Sequence, residues 1–253
     1  PTNMIIAVDD IKVGEDAVIN ITLPNEISNE LVSVTIDGKS YTVLINNGKG
    51  SLTLSNLVAN SYPITAKYGG NYKYTEGENS TTLTVAKMPS AVNVTANNIK
   101  FGEDAVINIA VPNVVLGVAT VVVNGKSYNV AIVDEKGVLT ISNLAANDYD
   151  VKAVYLGDNK YLSSENTTKF TVSKVGSFVN VAVSDIKVGD DAVINIAVPD
   201  DATGNVTVNI NGKSYNVTTK YGMASIKVAG LANGTYDVKA VYLGDNKYLS
   251  SEN

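Results

Sequence analysis

Along almost the whole chain hydrophobic and polar positions alternate with a period of two, and no segment carries the spacing of an amphipathic helix. The stretch from 88 to 174 shows this most clearly. Ala105, Ile107, Ile109 and Val111 alternate with Val106, Asn108 and Ala110, which predicts a strand with one buried face and Asn108 turned outward. Val121 to Val123, then Asn124-Gly125, then Tyr128 to Ile132 predicts a hairpin, because Asn-Gly accepts the positive φ of a tight turn. Gly137 to Ile141 predicts another strand. Tyr149, Val151, Ala153 and Tyr155 share one face of the next. Thr168, Phe170 and Val172 mark the last strand, and Val92 to Ala96 the first. About seven short strands, with turn signals roughly every ten residues, point to an all-β sandwich.

The pattern then repeats. Asp37-Gly38-Lys39-Ser40-Tyr41 returns as Asn124-Gly125-Lys126-Ser127-Tyr128 and as Asn211-Gly212-Lys213-Ser214-Tyr215, 87 residues apart each time. Asp16 to Ile21 returns as Asp104 to Ile109 and Asp191 to Ile196, followed by Pro24, Pro112 and Pro199. Such a period is too long for a solenoid and suits a small domain. The predicted domains are 1–87, 88–174 and 175–253. Val85-Ala86-Lys87-Met88-Pro89-Ser90 runs directly into the next alternation, and so short a junction favours a semi-rigid array. The third copy reaches Asn253 where the second continues with Thr167-Thr168-Lys169-Phe170-Thr171-Val172. Two readings stand: a boundary inside a longer array, or a groove that takes a strand from a neighbouring chain, giving a filament subunit.

Leu144 to Tyr149, with copies Leu57 to Tyr62 and Leu231 to Tyr236, has the form of a tyrosine corner, with structural roles for Tyr62, Tyr149 and Tyr236. The run Gly234-Thr235-Tyr236-Asp237-Val238-Lys239-Ala240-Val241-Tyr242-Leu243-Gly244-Asp245-Asn246-Lys247-Tyr248-Leu249-Ser250-Ser251 resembles the closing half of bacterial Ig-like domains of the third group. The second copy matches as well from Tyr149 to Ser164, while the first has Asn71 in place of the aspartate. The near-identical tandem copies and the Lys- and Asn-rich composition are similar to adhesin-like surface proteins of methanogenic archaea. That resemblance implies an extracellular array anchored to the cell through regions outside this stretch. It also implies a stalk whose partners are neighbouring Ig-like repeats of the same longer chain.

Composition narrows the chemistry. The chain has 253 residues, a net charge of -6 and no Cys, His or Trp. It also lacks Arg and Gln, so all 19 cations are lysines. Disulfides, thiol or imidazole catalysis and most transition-metal sites are thereby excluded. The negative charge argues against a nucleic-acid partner. No apolar run is long enough for a membrane span, and Pro1-Thr2-Asn3 does not open a signal peptide.

Acidic pairs recur before the second strand, at Glu15/Asp16, Glu103/Asp104 and Asp190/Asp191, and single aspartates recur at Asp158 and Asp245. With loop carbonyls they form a candidate ligand set for calcium at the junction of adjacent copies; otherwise no cofactor is expected. Because these acids are triplicated with their domains, they read as turn residues rather than as a glycosidase pair, and the chain is not expected to be an enzyme. Lys67, Lys152, Lys169 and Lys239 fall on outward positions, which disfavours a buried isopeptide. Asn20, Asn79, Asn93, Asn166, Asn205, Asn216 and Asn233 begin N-glycosylation sequons. Tyr72, Tyr74, Tyr161 and Tyr248 are expected to pack at junctions rather than to stack on sugars. The loops Asn25 to Glu30, Asn113 to Gly117 (through Val114, Val115 and Leu116) and Asp200 to Gly204 differ most between copies. A spacer that projects a binding region is therefore favoured over a module that itself binds a host or partner-cell glycan or protein.

Overall fold

A computed structural model describes residues 2–114 and 116–253. Val115, within the second variable loop, and Pro1, at the start of the leader reading, lie outside the described residues.

The described residues form strands and turns, with no helix among them. The first repeat supplies β1 (Ile5–Ala7), β2 (Ile11–Lys12), β3 (Ala17–Thr22), β4 (Glu30–Ile36), β5 (Lys39–Ile45), β6 (Lys49–Leu54), β7 (Asn60–Tyr68) and β8 (Gly77–Ala86). The second supplies β9 (Asn93–Ala96), β10 (Ile99–Lys100), β11 (Ala105–Ala110), β12 (Leu116–Val123), β13 (Lys126–Val133), β14 (Lys136–Ile141), β15 (Asn147–Tyr155) and β16 (Ser164–Ser173). The third supplies β17 (Asn180–Val183), β18 (Ala192–Ala197), β19 (Asn205–Ile210), β20 (Lys213–Thr218), β21 (Met223–Val228), β22 (Val238–Tyr242) and β23 (Ser251–Glu252).

Strand pairing defines tandem Ig-like sandwiches. In the first repeat one sheet has the order β1-β3-β6 and the other β2-β8-β7-β4-β5. The chain crosses between sheets from β3 to β4 and from β6 to β7, which is the Greek-key path. In the second repeat the same two sheets join at the Val133↔Lys136 pair into one order, β10-β16-β15-β12-β13-β14-β11-β9. The third has β17-β18-β21 and β20-β19-β22-β23.

The first strand of the first two repeats is split, so each has eight segments where the pattern predicts about seven. β1 pairs antiparallel with β3, whereas β2 crosses over and pairs parallel with β8. β9 and β10 do the same with β11 and β16. A polar side chain fixes each crossing: Asp10 Oδ1 accepts the Thr84 N–H at 2.7 Å, and Asn98 Oδ1 accepts the Thr171 N–H at 2.8 Å.

By Cα proximity the chain divides into two compact units. One is Pro1–Val92 with Val111–Asn113 and Val154–Glu165; the other is Asn93–Ala110 with Val114–Ala153 and Asn166–Asn253. Within the first unit, Ile19 and Ile21 of β3, Val32 and Val34 of β4, Ile64 of β7 and Leu83 of β8 are buried in one core. Within the second, Ile194, Ile196, Val206, Val208, Ala240 and Tyr242 do the same. Burial of each such valine, leucine or isoleucine side chain is worth about 1.5–3 kcal/mol, set against the entropy of ordering the chain.

The two-residue hairpins Asp37-Gly38, Asn124-Gly125 and Asn211-Gly212 have positive φ at both positions, as the sequence predicts. A second set of tight turns was not legible in the sequence. Asn47-Gly48, Asp134-Glu135 and Tyr221-Gly222 also have positive φ at both positions. Glu135, at φ 69°, thus stands where the other copies have glycine. A side chain in this region costs about 1 kcal/mol. Glu135→Gly is expected to raise stability by about that amount, seen as a higher denaturant midpoint for the second repeat with an unchanged slope. Gly48→Ala is expected to act in the opposite direction, because its Cβ would lie 2.5 Å from the Leu23 carbonyl oxygen.

Candidate functional site

The richest side-chain chemistry lies where the loop after β3 or β18 approaches the loop before the last strand of its repeat. The latter loop has one geometry in all three copies. Gly70, Gly157 and Gly244 have φ of 81°, 79° and 79°, and a Cβ on any of them would meet backbone atoms at 2.8 Å or less. The next residue closes the turn with its side chain. Asn71 Oδ1 accepts the N–H groups of Lys73 and Tyr74, both at 2.9 Å. Asp158 Oδ1 accepts those of Lys160 and Tyr161, both at 2.7 Å. Asp245 Oδ1 accepts those of Lys247 and Tyr248 at 2.7 and 2.8 Å. Asn71 therefore does the work of aspartate, because the turn needs an acceptor oxygen rather than a charge.

In the third repeat this turn is tied to the facing loop. Asp245 Oδ2 accepts the Thr203 N–H at 2.7 Å and its hydroxyl at 3.1 Å. The Tyr242 hydroxyl donates to the Thr203 carbonyl at 2.8 Å. The Tyr248 hydroxyl donates to Asp201 Oδ1 at 2.6 Å, and Lys247 Nζ donates to Asp201 Oδ2 at 3.0 Å. The first repeat makes a similar clasp with other residues. There the Tyr74 hydroxyl donates to Glu26 Oε2 at 3.0 Å, and Asn71 Nδ2 donates to Glu30 Oε1 at 3.1 Å.

Electrostatics follow from these partners. Burial alone would raise the Asp245 carboxyl, but the N–H groups of Thr203, Lys247 and Tyr248 outweigh it and hold the group well below the usual carboxylate range. Asp158 is shifted the same way, for the same balance of causes. Its neighbour Tyr155 is pushed up to about 12, by burial first and then by the adjacent Asp158 carboxylate. The Tyr248 hydroxyl is also pushed up to about 12, chiefly through its bond to Asp201. These carboxylates are occupied by backbone donors, so they act as knots in the loops rather than as proton-transfer groups.

The acids before the second strand behave differently. Glu15 Oε2 accepts the Lys12 N–H at 2.7 Å and Glu103 Oε2 accepts the Lys100 N–H at 2.8 Å, each closing its own tight turn. Asp16, Asp104 and Asp190 are exposed, and Asp191 pairs with Lys227 at 3.2 Å on the surface. Among the described residues, no three acidic side chains come together in a group able to hold a metal ion.

Tyr62, Tyr149 and Tyr236 donate their hydroxyls to the carbonyls of Val58, Ala145 and Ala232, each at 3.0 Å. Of the tyrosines expected at junctions, Tyr161 bridges to Met88 and Tyr248 to Val175, the first residues of the second and third predicted repeats. Tyr161 is buried, and Tyr74 and Tyr248 also pack against the core of their own repeat, their hydroxyls bound by the facing loop. Tyr72 is fully exposed. Sequence reading missed Asp201, Thr203 and Tyr242. Only Asp201, aligned with the acid Glu26 of the first copy, carried a visible signal.

Lys67, Lys169 and Lys239 lie outward, paired with Glu78, Asp150 and Glu252 at 3.1, 3.0 and 2.9 Å. Lys152 is exposed as well. All seven sequon asparagines are exposed. The Asn79 amide nitrogen is engaged by the Met4 carbonyl at 2.7 Å, while Asn205 and Asn216 accept threonine hydroxyls.

No family model and no curated protein matches the sequence. Among solved structures, the chain is similar to the I9-I11 tandem from titin at 13% identity, covering 100% of this chain and 97% of that one, with a TM-score of 0.34. It is similar to immunoglobulin domains 1-5 of Sidekick-1 at 13% identity, covering 100% and 58%, with a TM-score of 0.40. It is also similar to fibronectin(III)-like modules of Clostridium thermocellum CbhA at 13% identity, covering 68% and 94%, with a TM-score of 0.30. The fold assignment rests on the strand pairing of the chain itself.

Proposed function

We propose that the chain is a non-catalytic spacer segment of an extracellular, cell-surface adhesin-like repeat protein, which projects a binding region lying elsewhere. One observation carries this reading. The side chains with the most chemistry are spent on closing their own loops, and the same turn recurs three times with Asn71, Asp158 and Asp245. A site for a ligand gains nothing from such repetition, whereas a mechanical element does. The resemblance to bacterial Ig-like domains of the third group, and to archaeal surface arrays, supports the surface location. Its signature residues Gly244, Asp245 and Tyr248 are those that build the loop clasp.

The test is a screen of the folded chain against a glycan array and intact partner cells. A spacer gives no saturable binding; saturable binding would make the chain an adhesive module and direct attention to the three unlike loops. Calcium is proposed to play no part in stability, since Glu15 and Glu103 each close a turn of their own and Asp191 pairs with Lys227. Melting in excess chelator is expected to match melting in millimolar calcium. A rise with calcium would show that the folded chain binds the cation and would overturn this.

A further inference from the structure

At each junction one residue separates the backbone bonds of one repeat from those of the next. At the first, the Val13 N–H donates to the Ala86 carbonyl at 3.0 Å and the Met88 N–H to the Lys160 carbonyl at 2.9 Å, with Lys87 between. At the second, the Phe101 N–H donates to the Ser173 carbonyl at 2.8 Å and the Val175 N–H to the Lys247 carbonyl at 3.0 Å, with Lys174 between. Lys87 and Lys174 are both exposed. So short a connection leaves only a few soft dihedrals. Linker length is then the same at both junctions, and side chains that reach across decide how far each one bends.

Across the second junction one side chain does reach back. Lys247 Nζ lies 5.5 Å from the centroid of the Phe101 ring, a cation over an aromatic face of the preceding repeat. The same nitrogen donates to Asp201 Oδ2 at 3.0 Å, and the Tyr248 hydroxyl holds the other oxygen of Asp201 at 2.6 Å. The Lys247 side chain is 31% exposed, whereas those of Lys67, Lys169, Lys227 and Lys239, in surface pairs, are 57% or more exposed. Phe101, Asp201 and Lys247 all belong to the second compact unit.

The counterpart lysines do otherwise. Lys73 Nζ lies 5.5 Å from the ring of its own neighbour Tyr74, and Lys160 Nζ lies 5.2 Å from that of Tyr161. For Lys160 the sequence gives the reason. Val13 stands where the second repeat has Phe101, and Val114, two residues after Pro112, stands where the third has Asp201, two residues after Pro199. Neither aliphatic side chain can hold an ammonium group.

We propose that Lys247 is a strap across the second junction: its ammonium group, aimed by Asp201, docks on Phe101 and holds the second and third repeats as one stiff body in solution. Asp201 belongs to the third repeat and fixes the direction of the cation; Phe101 belongs to the second and receives it. The inference stands whether or not the chain is a spacer.

The test is single-molecule energy transfer within the full chain. The chain has no cysteine, so Ser127→Cys in the second repeat and Ser225→Cys in the third, both at exposed positions, take a donor and an acceptor dye. Expected is one narrow distribution of transfer efficiency. Phe101→Val, which installs the residue of the first junction, should broaden it and raise the share of molecules outside the main population about fivefold. Lys247→Met should act in the same direction. Lys247→Arg should keep the narrow distribution, because a guanidinium group also pairs with a carboxylate and stacks on a ring. Phe101→Val should leave the denaturant midpoint of the third repeat unchanged, which separates loss of the strap from loss of the fold. A distribution that neither Phe101→Val nor Lys247→Met alters overturns the proposal. So does a broad distribution in the chain that keeps Phe101 and Lys247.

Discussion

Replacing Phe170 by alanine is expected to destabilise the second repeat by about 4 kcal/mol. The ring is 1% exposed and stacks on Tyr149 at an interplanar angle of 12°. Truncation removes the transfer energy of the ring and leaves a cavity that a sheet edge fixed by β15 closes poorly. It also takes away the support under Tyr149, whose hydroxyl holds the Ala145 carbonyl. The loss should appear as a separate early transition in chemical denaturation, because the third repeat has its own core. Leu83→Ala in the first repeat should behave similarly with a smaller loss, about 3 kcal/mol. A loss below about 1 kcal/mol at Phe170 would contradict the burial described.

The second large effect is expected at Asp245. Its two oxygens accept three backbone N–H groups and a threonine hydroxyl, and alanine leaves those donors to water or to nothing. Bonds to a charged acceptor are worth about 1.5–3 kcal/mol each when buried. Because the group is partly exposed, about 2 kcal/mol in total is the expected loss for Asp245→Ala. Asparagine should restore roughly half of it, since Asn71 makes the same turn in the first repeat. The pH dependence separates charge from geometry. The folded carboxyl titrates below the unfolded value of about 3.9, so its contribution is complete above about pH 5 and drains away as pH falls through the folded value. The wild-type third repeat should therefore lose stability between about pH 5 and pH 2. Asp245→Asn should flatten that part of the profile. An unchanged acid slope in Asp245→Asn would assign the effect to other carboxylates.

How much of this was legible in the sequence depended on whether the signal was local. The hairpins at Asn124-Gly125 and Asn211-Gly212 were readable because two adjacent residues specify the turn. So was the strand from Ala105 to Val111, because burial alternates along it. The split first strand was not, since β2 and β10 are two residues each and are defined by parallel pairing with a strand more than seventy residues away. The turn at Asp134-Glu135 was hidden because it lacks the glycine that marks its counterparts. The side-chain partners of the loop tyrosines were hidden for a similar reason. Tyr74 and Tyr248 find their acceptors 48 and 47 residues away, and alternation says nothing about such partners. Comparing the copies column by column offers more. Asp10 and Asn98 align as polar acceptors, and their role is apparent only when the strand they hold is seen.

The central claim is that this chain works as a mechanical series of like units. Stretching single molecules of the full chain between its ends tests it most directly. The account predicts three separate unfolding events, each releasing about 30 nm of contour length. A single cooperative rupture, or extension without resistance, would contradict it.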